Sequence, residues 1–317
     1  MPSSLLARST ARLSFLWRRL RPEARPRRVA ADPEISRAFA RVQLFHGDPP
    51  PGWIVDFLGI RTRWKFVEGH WPHTNVEISR MWQEVPAPDV NGLEYFEWAD
   101  LLHAVRSARE SFVFFELGAG YGRWAVRAAR LLQAMNPLPL TLVAVEAEPT
   151  HFAWMREHLR DNDVDPEDHV LVCAPVAAAA GPVPFLVGEA STCYGQAIVA
   201  DPEAQQGGLK AQSMDAVELS ALLREFPRVD LIDLDVQGAE YDVLSAAIDE
   251  LGRRVKRIQV GTHGVGIETS LRALFRGHGW RLMEDIPCGS RIRLPRSGKV
   301  LPVGDGIQTW VNPRFAH

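Results

Sequence analysis

The run Phe112-Val-Phe-Phe-Glu-Leu-Gly-Ala-Gly-Tyr-Gly122 constrains the fold of this 317-residue chain more than any other stretch. Its apolar residues predict a buried parallel strand over 112–117, with an acid near its end. A Gly-x-Gly-x-Gly turn follows, and the periodic segment 124–132 predicts a helix. Glycine carries no Cβ, so a turn of this kind lets backbone approach a ligand closely. A dinucleotide fingerprint places its third glycine one position later and has no need of an acid just before the first. Here Glu116 precedes Gly118 by two residues, where a carboxylate can accept from an ammonium group.

A second apolar run, 140–146, ends in Glu146, about 28 positions after Gly118. In a βαβ unit an acid at the tip of the second strand reaches a ribose and accepts from its hydroxyls. A nucleoside with an amino-acid end and no pyrophosphate is S-adenosylmethionine. The expected cofactor-binding residues are Glu116, Gly118, Ala119, Gly120, Tyr121 and Glu146. Backbone of the glycine turn would hold the methionine end.

Strands and helices alternate from here on. Strands are expected at 112–117, 140–146, 169–173, 230–235 and 255–260, with helices at 123–133, 150–160, 239–250 and 266–277. Residues 280–284 and 306–311 would close the sheet as an antiparallel pair, and 183–187 with 194–199 read as a hairpin on its edge. The alternation predicts an α/β fold, a doubly wound, mostly parallel sheet of Rossmann-like type. Ligands of such sheets bind beyond the carboxyl ends of the strands, where Glu116, Glu146, Asp233, Asp235 and His263 all fall.

Asp233 and Asp235 lie two apart on one expected strand and so share a face. A central parallel strand is apolar throughout, so carboxylates there point to a site. Asp235 could instead cap the following helix, and Glu240 could enrich its first turn. His263, between Thr262 and Gly264, is placed to act as a general base near neutral pH, or else to cap the helix at 266–277.

Upstream, residues 29–100 have no clean period and are rich in Pro, Gly and aromatics, including Trp53, Trp64, Trp71, Trp82 and Trp98. They read as an N-terminal cap region on a domain spanning 101–317, with a helix at 93–108 and a turn at 56–63 feeding a short strand. Residues 1–28 carry eight arginines against Glu23 and read as a basic, flexible tail, or as a membrane-surface contact. No apolar segment is long enough for a secretory signal or a bilayer span. The net charge of −3 offers nothing to recruit nucleic acid, and three scattered cysteines suit a reducing, cytoplasmic setting.

Four stretches occur in order: Glu116-Leu-Gly-Ala-Gly-Tyr-Gly, Val145-Glu-Ala-Glu-Pro149, Ser213-Met-Asp215, and Val229-Asp-Leu-Ile-Asp-Leu-Asp-Val-Gln-Gly-Ala-Glu-Tyr-Asp-Val-Leu244. Together with Gly306-Ile-Gln-Thr-Trp-Val-Asn-Pro313 they resemble the FkbM family of class I S-adenosylmethionine-dependent methyltransferases. The resemblance implies O-methylation of a sugar, glycan or related small-molecule hydroxyl. Asp233 stands where that family more often has lysine, and Gln237 where it has glutamate. The Asp233-x-Asp235 pair is also similar to the metal-binding strand of magnesium-dependent sugar O-methyltransferases, but the next strand ends in Thr262-His263, so no metal is expected. His263 and Asp235 are the expected catalytic pair, with Asp233 beside the cofactor. The rival readings are an N-methyltransferase of protein or RNA, and a non-catalytic nucleoside-binding scaffold.

Overall fold

The computed structural model describes residues 25–68, 73–188, 194–206 and 208–315. A seven-stranded sheet is its spine: β1 (Phe112–Leu117), β2 (Leu140–Val145), β3 (Val170–Val172), β4 (Leu231–Leu234), β5 (Arg257–Thr262), β6 (Arg281–Ile286) and β7 (Gly306–Val311). Their order is β6-β7-β5-β4-β1-β2-β3, with β7 antiparallel to both neighbours and the other pairings parallel.

The central strands are apolar on both faces because both faces are covered. Phe112 and Phe114 of β1 enter one core with helices Glu94–Ser107 and Arg123–Met135. Val113, Phe115 and Leu117, pointing the other way, enter a second core with Val243, Leu251 and Leu271. Helix 239–250 of the sequence reading is two pieces, Glu240–Ala246 and Ile248–Arg254, broken at Ala247.

The expected edge hairpin is a separate small sheet. Strand Gly181–Val187 pairs along its whole length with Leu209–Glu218, a strand the sequence reading left out. Residues 194–199 lie on its other side through Leu186 N–H to Ala197 O and Val199 N–H to Pro184 O, each 2.9 Å.

The cap is bound tightly to the rest. Hairpin Trp53–Val55/Arg61–Arg63 docks on helix Pro149–Asp161, where Arg63 donates to both oxygens of Asp161 at 2.7 and 2.9 Å. Helix Glu94–Ser107 runs across the division expected at residue 100, and its buried Asp100 pairs with Arg257 of β5 at 2.6 Å. At the end of the basic segment, Arg27 and Arg28 pair in a short parallel strand with Ile292 and Arg293. Residues 1–24, Trp71 and Cys193 lie outside the described residues. Among the described residues no helix is long and apolar enough to cross a membrane.

Candidate active site

A cavity of about 390 Å³ opens at the carboxyl ends of β1, β2 and β4. Glu116, Gly118, Ala119, Gly120, Tyr121, Glu146, Asp233 and Asp235 all line it. His263 does not, and stands behind Asp235.

The glycine turn is held mainly by its own neighbours. Gly118 and Ala119 N–H donate to Val145 O at 2.9 and 3.0 Å, and Gly122 N–H donates to Ala119 O at 2.7 Å. Gly120 N–H donates to Glu146 Oε2 at 2.7 Å. The N–H groups of Gly118, Ala119 and Gly120 thus tie the turn to the end of β2, while the turn as a whole still lines the cavity. Gly118, at φ +82°, earns its place differently, since a Cβ there would stand 1.9 Å from Asp235 O. Tyr121 has its ring packed on Phe66, 5.6 Å between centroids, so aromatic packing of the cap fixes it.

Helix Arg123–Met135 has no side-chain cap of its own, because Gly122 precedes it. Glu116 supplies that cap from the strand end, accepting from Trp124 and Ala125 N–H at 3.0 and 2.7 Å. Glu146 likewise accepts from Gly120 and from Glu148 N–H, both at 2.7 Å. A carboxylate offers about four lone-pair sites, so Glu116 keeps about two for a ligand, and Glu146, which also takes a bond from Ala147 N–H, keeps fewer. Burial pushes Glu116 up to about 8 and Glu146 up to about 7. Arriving donors would favour the ionised forms. The wide cavity, a turn that admits no Cβ at 118, and two partly satisfied carboxylates at its floor fit S-adenosylmethionine.

Asp233 pairs in register with Glu116 across β4 and β1. Its carboxyl is raised well above the usual range, by burial first and then by Glu97, Glu116 and Asp235. Glu97, from helix Glu94–Ser107, is pushed up to about 8 by burial and then by Glu94. Asp235 has a side chain 54% exposed and accepts from Gln237 Nε2 at 2.7 Å. Its carboxyl is raised by its surroundings, while His263 pulls it down.

His263 is not built as a neutral base. Its Nδ1 lies 2.7 Å from Oε1 of the fully buried Glu240, and Asp235 and Asp305 flank its Nε2. Burial lowers its pKa, but Glu240 and the other two carboxylates outweigh this and carry it up to about 9. At neutral pH the ring is an imidazolium, which has no lone pair to take a proton. That arrangement does not favour the general-base expectation for His263; Asp235, the other expected member of the pair, lines the cavity. Nor does His263 cap the following helix, whose N-cap is Gly264 without a side-chain bond.

Sequence reasoning missed the cavity's other walls. Tyr194 stacks on His151 with centroids 4.2 Å apart and rings within 5° of parallel. Its hydroxyl donates to Phe66 O of the cap at 2.5 Å. Trp82 holds Arg123 over its ring at 4.9 Å. Glu97 was open to notice, being an acid flanked by Phe96 and Trp98 in an apolar-faced helix; Tyr194 carried no local signal.

Among protein families, the Methyltransferase FkbM domain matches residues 116–283. A methyltransferase of Jannaschia sp. (strain CCS1) is 26% identical over 273 residues, covering 84% of this chain and 95% of its own. Among solved structures, precorrin-6y C5,15-methyltransferase from Geobacter metallireducens GS-15 matches with a TM-score of 0.39 and 16% identity, over 67% of this chain and 85% of that one. Methyltransferase FkbM from Methylobacillus flagellatus KT matches with a TM-score of 0.38 and 10% identity, over 64% and 45%.

Proposed function

The chain belongs to the methyltransferase FkbM domain family, and on that premise we propose that it transfers a methyl group from S-adenosylmethionine to a hydroxyl of a sugar, glycan or related small molecule. The observation that carries the reading is one cavity with Glu116 and Glu146 at its floor and Asp235 on its wall. Glu116 accepts from the ammonium and Glu146 from the ribose hydroxyls. When bound, S-adenosylmethionine supplies a methyl on a positive sulfonium, a leaving group that needs no proton.

The protein's task is then to align the acceptor and remove its proton. Asp235 takes that proton as the hydroxyl attacks. The protein around it holds its carboxyl above the usual aspartate range, and the His263 imidazolium keeps it ionised.

The test is acceptor-dependent formation of S-adenosylhomocysteine over a panel of methyl glycosides and polyols. Asp235→Asn should lower turnover by at least about a hundredfold, the scale of general-base catalysis, with cofactor affinity held within about threefold. Undiminished turnover in Asp235→Asn, or no turnover with any hydroxylated acceptor, would overturn the reading.

A further inference from the structure

Beside the cofactor cavity, on the far side of Asp235, three polar side chains converge without closing on one another. His263, at the end of β5, has a side chain only 10% exposed. Its Nδ1 is fixed by Glu240 at 2.7 Å. Its Nε2 is buried and has no hydrogen-bond partner among the described residues. Asp235 Oδ1 stands 3.5 Å from that nitrogen and Asp305 Oδ1 4.0 Å, with the two acid side chains 54% and 56% exposed. Asp305 lies in the turn just before β7. An oxygen about 2.8 Å from Nε2 and about 2.8 Å from either carboxylate fits those separations.

We propose that Asp235, His263 and Asp305 form the acceptor subsite, and that it takes a compound with two adjacent hydroxyl groups. This deepens the methyl-transfer reading and rests on it. Nδ1 faces a carboxylate and therefore carries a proton. Nε2, facing two more, keeps its own, so the subsite presents one donor between two acceptors. A hydroxyl both accepts and donates, so one hydroxyl takes Nε2–H and gives its proton to one carboxylate, and a second, adjacent hydroxyl serves the other carboxylate. An ammonium only donates and would leave the buried Nε2–H unpaired. An anion would meet two like charges.

One hydroxyl of the pair sits between His263 and Asp305. Its neighbour reaches Asp235, which of the three also lines the cofactor cavity, and is the one methylated. In that step the hydroxyl oxygen forms the new C–O bond, the C–S bond breaks with its electrons going to sulfur, and the proton passes to Asp235. Glu240 is a positioning residue: it accepts from Gly238 N–H at 2.8 Å as well as from His263, and so fixes the direction of Nε2.

Imidazole nitrogen NMR of the full chain tests this, with the His263 signals assigned by their loss in His263→Gln. The probes are cis-1,2-cyclohexanediol and, as the one-hydroxyl control, cyclohexanol, each with and without S-adenosylhomocysteine. The diol should move the Nε2 signal saturably, with the alcohol at least about tenfold weaker. Asp305→Asn should weaken the diol about tenfold, the scale of one hydrogen bond to a charged group. S-adenosylhomocysteine affinity should stay within about twofold in that variant. Glu240→Gln should broaden or shift the His263 signals before any probe is added. No diol response, or an equal response to the alcohol, with S-adenosylhomocysteine still bound, overturns the subsite and leaves methyl transfer standing. Failure to bind S-adenosylhomocysteine takes down both.

Discussion

Gly118 and the carbonyl oxygen of Asp235 are in such close approach that a Cβ on residue 118 would lie 1.9 Å from it. The contact joins the ends of β1 and β4, where Asp235 N–H also donates to Leu117 O at 2.9 Å. It fixes the distance between the glycine turn and the proposed base. Because the clashing atom is backbone, no rotamer change relieves it, and φ at Gly118 is +82° besides.

Gly118→Ala should therefore destabilise the protein by at least about 2 kcal/mol. It should also weaken S-adenosylhomocysteine binding by more than about tenfold. Thermal unfolding and calorimetry of the variant check both, and a variant with wild-type values would mean the turn is not packed against β4.

Stability should fall as pH rises from about 6.5 to about 9, the window set by the groups named here. Folded His263 titrates near about 9 from an ordinary 6.5, and folded Glu116 near about 8 from an ordinary 4.5. Each holds a proton in the native state that the unfolded chain has released, so raising the pH favours unfolding. His158, pushed down to about 4 by burial, acts in the opposite sense, but only below 6.5. His263 and Glu116 together should contribute a few kcal/mol of loss, at about 1.4 kcal/mol per unit. Melting temperatures of the ligand-free protein at pH 6.5 and pH 9 decide it: the later one should be lower, and His263→Gln should flatten the slope. A melting temperature that rises across the window would contradict the charge arrangement.

Tyr194 ties the 194–199 segment to the cap through Phe66 O and stacks on His151. Tyr194→Ala removes both contacts and should lower S-adenosylhomocysteine affinity about tenfold, while Tyr194→Phe keeps the stack and should cost less than about threefold. Equal losses in the two variants would assign the effect to the hydroxyl instead.

The sheet was legible because its strands are buried on both faces and so appear as short continuous apolar runs. The sequence reading of 112–117 coincides with β1, and that of 140–146 with β2 to within one residue. Strand Leu209–Glu218 was illegible for the opposite reason: it is largely polar, half-exposed, and defined by its pairing with Gly181–Val187. The same division runs through the site. Glu116, Glu146 and Asp235 stand at or beside the ends of apolar runs and announce themselves locally. Glu240 reads as an ordinary first-turn acid until the fold brings it to His263, 23 positions away. Tyr194 meets Phe66 across 128 positions, and nothing in either segment signals it. His263 was found by its place in the chain, but its protonation depends on Glu240, Asp235 and Asp305, which tertiary structure alone assembles around it.

The central claim is that Glu146, already bonded by Gly120 and Glu148 N–H, keeps its remaining lone pairs for a ribose. Calorimetric titration of S-adenosylhomocysteine into the wild-type chain and Glu146→Ala tests it most directly. The account predicts micromolar binding to the wild type, weaker at pH 6 than at pH 8 because Glu146 must ionise, and at least about a hundredfold loss in the variant. A folded wild-type protein that does not bind, or a Glu146→Ala protein that binds as well as wild type, would contradict it.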